Sequence, residues 1–495
     1  MENQSATEPV VEDQSATENF EEAAPRRSRT GQRLLAAAVT GCLVLGGTLM
    51  VLPWRPPAPR APAPPAPGAQ AQAALTVGAP AALPDLAVLI SERETHLRRH
   101  PRDAESWAVL GAAYVEQGRR TAESAYYPKA GDALRTSLKV RAKGEPVSVA
   151  ALGGLAALAN ARRDFRTAKR YGEAALKLEP KRWTTYPLLI DAYTGLGDWK
   201  ATGRTLERLQ ELHGGPAVLA RAGGVYRDRG WREDAMAQLS DAAAGARAPA
   251  ERAAYLERVG QLAWERGERE VALRHFREAV RIDPDQRAAQ AGQGRALAAL
   301  GRTSQALSAY RVALTNQPDP QYALELGELY ESLGLRQTAG VQYELVRARV
   351  RHAESGGVDG RLVLGQLEAD HGSPETAVRL LREEWRRQPG IAVADALGWA
   401  LHRAGEDEEA LRFAVRATDK VHGGGVRSAL YAYHRGMIER ELGLNGPARR
   451  HLQEALRINP YFSRLHVPSA QRALTALGEP SADDVPVMDA KPTRG

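Results

Sequence analysis

The stretch Ala253–Pro284, AAYLERVGQLAWERGEREVALRHFREAVRIDP, constrains the fold more than any other part of the chain. Apolar and small residues recur at helical spacing in two runs, one before and one after a polar link at Gly267. Pro284 ends the second run because its ring cannot continue a helix. The pattern predicts a helical hairpin that is too short to bury its own apolar face, so it needs neighbours of the same kind.

The same pattern recurs along most of the chain. It consists of a large residue, Leu-Gly, Tyr, Ala, an aromatic residue, Ala and Pro at fixed offsets within about 34 residues. Matching residues include Trp107, Leu110, Gly111 and Tyr114 near the start, Gly294, Leu297, Ala306 and Tyr310 in the middle, and Gly436, Ala448, Leu452 and Pro460 near the end. About ten such units occur in near-constant register, and the chain therefore resembles the tetratricopeptide repeat family.

The resemblance implies an all-α fold, an α-solenoid of about ten helical hairpins that form a right-handed superhelix. We expect the solenoid, with a capping helix at each end, to span residues 85–478, followed by a disordered tail at 479–495. An irregular link, Arg349–Gly357, marks a place where the superhelix can bend. Alternating β-branched runs are lacking in the sequence, which supports a nearly all-helical fold.

The amino-terminal sequence predicts a single transmembrane helix ahead of the solenoid. Residues 1–25 hold seven acidic residues and no Lys or Arg, and favour a disordered acidic tail. A basic juxtamembrane segment, 26–33, precedes Leu34–Leu52, 19 residues without a charged side chain. That length nearly matches a hydrocarbon core of about 30 Å. We therefore predict an anchor at 34–54 and a Pro/Ala-rich linker at 55–84.

Two alternatives to an uncleaved anchor remain open. A cleaved signal peptide would release a secreted soluble form, although the nearest good cleavage site, Ala69–Ala71, lies far downstream. The segment would otherwise be a buried helix of a soluble protein. The arginines before the segment predict a cell-membrane protein with a cytoplasmic amino terminus and an extracytoplasmic solenoid. The Arg, Ala and Pro content resembles that of actinobacterial proteins.

The sequence gives no indication of catalysis. It lacks GxxxxGK[ST], GxSxG and HExxH motifs, so we expect no catalytic residue, no metal site, no small-molecule cofactor and no enzyme activity. The formal net charge of +7 is dilute over 495 residues, and basic clusters with interleaved aromatic residues are lacking. Nucleic acid is therefore not an expected partner.

The resemblance implies that a protein or peptide partner binds in the concave groove of the solenoid. Positions that the family turns inward correspond here to Glu257, Gln261, Trp264, Arg295, Glu328, Trp399, His402, Tyr433, Met437 and Arg440, which are the predicted binding residues, and also to Asn160, Asp191, Arg227 and Asp395. Trp264, Trp399 and Tyr433 are the strongest candidates, because large aromatic side chains are typical interface anchors. The amino-proximal groove positions are mostly small and predict a narrow, smooth channel: Ala108, Ala112, Gly153, Ala157, Ala220 and Gly224.

The expected function is thus a membrane-tethered scaffold for protein–protein interaction without catalysis. One alternative is a factor for assembly or biogenesis in the cell envelope. Another is an enzymatic or glycan-binding role in the carboxyl-terminal half of the chain.

Overall fold

The computed structural model describes residues 66–141, 146–419 and 425–478. Within these ranges the chain forms 23 α-helices, a short 3-10 helix at Trp183–Thr185 and no β-strand. The helices are α1 Pro67–Thr76, α2 Leu83–Arg99, α3 Ala104–Thr121, α4 Tyr126–Val140, α5 Val149–Ala161, α6 Phe165–Leu178, α7 Tyr186–Gly195, α8 Trp199–Leu212, α9 Pro216–Asp228, α10 Arg232–Gly245, α11 Pro249–Glu265, α12 Arg269–Ile282, α13 Arg287–Ala299, α14 Thr303–Asn316, α15 Pro320–Ser332, α16 Arg336–Ser355, α17 Arg361–His371, α18 Pro374–Arg387, α19 Ile391–Arg403, α20 Asp407–Thr418, α21 Ala429–Glu441, α22 Asn445–Ile458 and α23 His466–Leu477. The prediction of an all-helical fold is confirmed for the described residues.

Helices α3 to α22 pair into ten consecutive hairpins, α3 with α4 through α21 with α22. The first helices of neighbouring hairpins also pack on one another, as α3 does on α5 and α11 on α13. Helices α1 and α2 form a further pair before the first hairpin, and α23 packs on α21 and α22 after the last. The described residues therefore contain the ten stacked units that the sequence pattern predicts.

The hairpin of α11 and α12 shows why the pattern needs small residues. Phe276 is fully buried, and a Cβ atom on Gly260 would lie only 2.8 Å from its ring. Glycine at this position therefore lets the two helices approach closely. Gly267, in the link between the helices, has a φ of +80°, a left-handed conformation that glycine adopts at little cost. These two glycines allow the chain to reverse and the hairpin to close.

The solenoid begins earlier than predicted. Residues 67–76, which we placed in the linker 55–84, form α1. Its Ala71 is buried against Leu86 and Leu89 of α2. Pro67 stands in the first turn of α1, where its missing N–H costs no hydrogen bond. Alanine and proline suggested a linker by composition, but here they allow close packing and start a helix.

The predicted tails, basic segment and transmembrane anchor lie outside the described residues, which begin at 66 and end at 478. Among the helices that the structure describes, none combines the length and the apolar character needed to cross a membrane. The prediction of an anchor at 34–54 therefore stays a prediction.

Hydrogen bonds connect hairpins that are far apart in the sequence. Arg162 Nε donates to the Gly356 carbonyl at 2.7 Å, across 194 positions, and the Asp359 N–H donates to the Arg162 carbonyl at 3.0 Å. Asn459 Nδ2 donates to the Trp264 carbonyl at 2.8 Å, across 195 positions. A separation of 195 residues corresponds to about six repeats. The solenoid thus returns on itself after about six hairpins, and its successive turns touch.

This inter-turn contact corrects the expectation for the link Arg349–Gly357. Residues 349–355 continue α16 without a break, and Gly356 packs against Ser124, whose carbonyl oxygen would lie 2.4 Å from a Cβ atom on Gly356. The segment is therefore a place where two turns meet.

Candidate functional site

Two cavities lie on the inner faces of the solenoid. The first, which we call the amino cavity, has a volume of about 850 Å³ and is lined by residues from α1 to α11, by Leu362 of α17 and by the segments around α19 and α21. The second, the carboxyl cavity, has a volume of about 610 Å³ and is lined by residues of α11, α13 to α15, α17, α19, α21 and α23 and of the segment before α23. Both volumes fall within the range of typical ligand pockets.

The amino cavity has a wall of small residues. Ala108, Ala112, Gly153, Ala157 and Ala220 line it, as predicted, whereas Gly224 does not. Their side chains are short or absent, so little side-chain volume fills the space. A Cβ atom on Gly153 would meet only one atom within 4 Å, of Leu188 at 3.9 Å. The cavity therefore has free space directly above the α5 backbone.

Positive charge predominates in the amino cavity. Six arginines line it against three carboxylates: Arg119, Arg163, Arg182, Arg221, Arg227 and Arg258 against Glu116, Asp191 and Asp228. Burial raises the pKa of Asp228 to about 6, although neighbouring Arg227 opposes the shift. Arg258 is exposed to the cavity and makes no ion pair with any residue that the structure describes. The cavity thus offers a cation with which an occupant can pair.

A chain of hydrogen bonds connects the walls of the two cavities. Arg227 of the amino cavity donates through Nε and Nη2 to both carboxylate oxygens of Glu265, at 2.7 and 2.6 Å. Gln261 donates to Glu265 at 2.9 Å and accepts from Arg295 of the carboxyl cavity at 2.7 Å. Burial alone would raise the pKa of Glu265, but the Arg227 guanidinium lowers it. The predicted residues Gln261 and Arg295 therefore brace adjacent repeats across this wall.

The three aromatic residues singled out as anchors are buried. Trp264, Trp399 and Tyr433 are 9, 5 and 2% exposed. Trp264 and Trp399 nevertheless line the carboxyl cavity. Tyr433 packs between the rings of Trp399, His466 and Phe462, with centroid distances of 5.0 to 5.6 Å. The tryptophans thus form part of a cavity wall and do not project as exposed anchors.

Trp399 stands at the centre of a cluster of carboxylates and histidines. Its indole N–H donates to both oxygens of Asp370, at 3.0 and 3.1 Å. His434 stacks on the indole at 4.2 Å between ring centroids, with an interplanar angle of 15°. The two Asp395 carboxylate oxygens each lie 3.0 Å from His434 Nδ1. Burial alone would raise the pKa of Asp370, but hydrogen bonding with His466, and the charge of that group, lower it to about 2. A negative charge is therefore fixed beside Trp399.

Comparison with known proteins agrees with this architecture. A family model described as "Tetratricopeptide repeat" matches residues 259–323 and 291–349. The chain is thus similar to this family over residues 259–349. No curated protein matches the sequence.

Two solved structures show a distant likeness in fold. The human IFIT1 dimer with PPP-AAAA has a TM-score of 0.42 at 13% identity, over 74% of this chain and 85% of that chain. The APC/C hetero-tetramer Cut9–Hcn1 has a TM-score of 0.31 at 14% identity, over 79% of this chain and 92% of that chain.

The remaining predicted residues have separate places in the repeats. Glu328 of α15 lines the carboxyl cavity. The Nδ1 atom of His402 lies 2.5 Å from Asp407 Oδ1, and this contact links the two helices of the same repeat. Burial raises the pKa of Glu257. Met437 packs against the core, and neither it nor Arg440 lines a cavity.

The lining residues that the sequence analysis missed include three of the cluster around Trp399: Asp370, His434 and His466. They come from different units of the solenoid, so only the packing of those units brings them together. His434 directly follows the predicted Tyr433, which is the one sequence signal that pointed near it. The cluster offers hydrogen-bonding and charged groups in an aromatic enclosure, a combination suited to binding.

Proposed function

We propose that the chain is a membrane-tethered scaffold that binds an extended segment of a partner protein on the inner surface of its repeats, without catalysis. The observation that carries the proposal is the pair of cavities, about 850 and 610 Å³, on the inner faces of the stacked helices. Their walls are helical and therefore rigid, which lowers the entropic cost of binding. Arg258 supplies a charge that an occupant can pair with.

A tether to the membrane is supported by the uncharged segment Leu34–Leu52 and the arginines before it. We propose the cell membrane as the location, with the repeats on the extracytoplasmic side. A reporter that is active only outside the membrane, fused after Gly495, is expected to be active. Activity of a cytoplasmic reporter at the same position would contradict this orientation, and amino-terminal sequencing of the mature protein would reveal cleavage.

Gly153→Leu tests the binding surface. The leucine side chain would project into the amino cavity, where a Cβ atom meets little, so the helix should fold while the cavity fills. Gly340→Leu is the matched control. Gly340 is also helical, a Cβ atom at this position would meet nothing within 4 Å, and the residue lines neither cavity.

The measurement is affinity capture of cross-linked partners from intact membranes with the full chain. A partner should be enriched by the wild type and by Gly340→Leu, and lost with Gly153→Leu. Equal enrichment by all three would show that the amino cavity does not take part in binding, and absence of any enriched protein would refute the scaffold function.

A further inference from the structure

We propose that the carboxyl cavity binds a cationic side chain, the guanidinium of an arginine, carried by the partner segment. This inference rests on the proposed function and specifies what one part of the groove recognises. It is carried by three observations on the cavity wall: a hydrogen-bond acceptor without a donor, an excess of carboxylates, and aromatic surfaces.

The unmatched acceptor belongs to His434. The side chain is buried, with the residue 5% exposed, and it lines the carboxyl cavity. Both carboxylate oxygens of Asp395 lie within hydrogen-bonding distance of His434 Nδ1. Since a carboxylate accepts, Nδ1 carries a proton, and in the neutral ring Nε2 is then an acceptor. Nε2 has no hydrogen-bond partner among the described residues, and a buried polar atom of this kind is costly unless a ligand satisfies it.

Carboxylates outnumber arginines around the cavity. Four carboxylates, Glu325, Glu328, Asp370 and Asp395, face two arginines, Arg295 and Arg464. Arg295 is already paired with Glu325 at 3.1 Å, and Arg464 donates to the Ala298 carbonyl at 3.2 Å. Among these side chains the carboxylates exceed the arginines by two, and this excess of negative charge favours a cation and disfavours an anion.

Glu328 is the carboxylate of the wall that accepts no hydrogen bond from any residue that the structure describes, and we assign it as the counter-ion. Its nearest charged partner is His371, whose Nε2 lies 3.8 Å away, beyond hydrogen-bonding distance, and its side chain is 32% exposed. Asp370 and Asp395, by contrast, already accept from Trp399 and His434. A guanidinium carries five N–H donors, enough for Glu328 and His434 together.

The aromatic residues of the cavity wall can contact the methylene stem and the charged group of an arginine side chain. Trp264, Tyr310 and Trp399 line the cavity, and indole and phenol faces attract cations while they cover the methylene stem. The amino cavity has an excess of arginines, so it should repel the same group. The two cavities therefore differ in the side chains that they accept.

The test measures binding of two peptides to the full-length chain in detergent by isothermal titration calorimetry. One is acetyl-Gly-Gly-Arg-Gly-Gly-amide, and the other has citrulline, which has nearly the same shape but no charge, in place of arginine. We expect the arginine peptide to bind at least tenfold more tightly to the wild type. Glu328→Gln should reduce this preference to threefold or less, whereas Glu344→Gln, an exposed glutamate on α16 outside both cavities, should leave it unchanged.

Equal binding of both peptides to the wild type, or an unchanged preference in Glu328→Gln, would overturn the site. Spermidine is a further arm of the experiment: if it binds and the arginine peptide does not, the ligand is a free polyamine and the assignment to a partner side chain is wrong. A partner captured from membranes together with no arginine preference would refute this site alone. Failure of capture would instead refute the proposed function.

Discussion

Glu384 titrates at the contact between two turns of the solenoid. Its side chain is fully buried and accepts a hydrogen bond of 2.8 Å from Gln388, whose own Oε1 accepts from the Phe165 N–H, 223 positions away, at 3.2 Å. Arg163 lies 3.8 Å from the carboxylate, too far for a hydrogen bond. Burial first, and then the charge of Asp359, raise the pKa of Glu384 from 4.5 to about 7.

The sign of the pH effect follows from this shift. Between pH 4.5 and 7 the folded chain holds a proton on Glu384 that the unfolded chain has lost, so the contribution to stability falls as the pH rises through this window. Each unit of pKa difference is worth about 1.4 kcal/mol, so the contact should weaken by about 2 kcal/mol between about pH 5 and about pH 8. Glu384→Gln keeps the shape, can still accept from Gln388, and removes the titration.

Hydrogen exchange measures the contact directly. The amides of Phe165 and Asp359 donate across the two turns, and exchange at these sites should report its opening. From about pH 5 to about pH 8 the ratio of the exchange rate in the wild type to that in Glu384→Gln should grow about thirtyfold, the factor that corresponds to about 2 kcal/mol.

A matched control is Glu375→Gln, an exposed glutamate on the same helix, which should exchange like the wild type at both pH values. The reasoning is refuted if these amides exchange equally fast in the wild type and in Glu384→Gln at the higher pH. Ionisation of the buried Glu384 would then not destabilise the contact between the turns.

Three further changes test the packing of the solenoid, each by the thermal midpoint measured with circular dichroism. Arg120→Met should cost about 3–5 kcal/mol, because it leaves Asp283, paired with Arg120 at 2.8 Å, as an unpaired buried charge; adding Asp283→Leu should recover much of the loss, and a double variant as unstable as the sum of the single ones would contradict this. Gly260→Ala should cost about 1–3 kcal/mol, since its methyl group would overlap the ring of Phe276, and an unchanged midpoint would mean that the helices separate freely. Asn459→Ala should cost about 1–3 kcal/mol through the lost inter-turn hydrogen bond, and a midpoint equal to that of the wild type would show that the bond contributes nothing.

The hairpins were predictable because their signal is local. Gly260 and Phe276 lie on facing helices of one hairpin, and a repeated spacing of this kind is visible in the sequence. The start of the solenoid was not predictable, since alanine and proline at 67–76 fit a linker as well as a helix. Only the burial of Ala71 against Leu86 distinguishes the two.

The helical period indicates which face of a helix lines the site, but not how deeply the residues on that face are buried. Trp264, Trp399 and Glu328, which the family offsets select, line the carboxyl cavity, because residues at these offsets share one face of a helix. The offsets did not reveal that Trp399 is covered by His434, because that stacking depends on how far neighbouring repeats approach each other. The hydrogen bonds between turns were not predicted for a related reason. Many of them end on backbone carbonyls, such as that of Gly356, which carry no sequence signal.

The touching turns restrict how such a chain can evolve. In an open solenoid each repeat contacts only its neighbours, so a repeat can be duplicated or deleted without harm to distant ones. Here Arg162 meets Gly356, and Trp264 meets Asn459, at nearly the same separation. An extra repeat between either pair would rotate the two partners out of alignment and abolish every bond between those turns. The contacts between turns therefore select against the gain or loss of a single repeat within the coil.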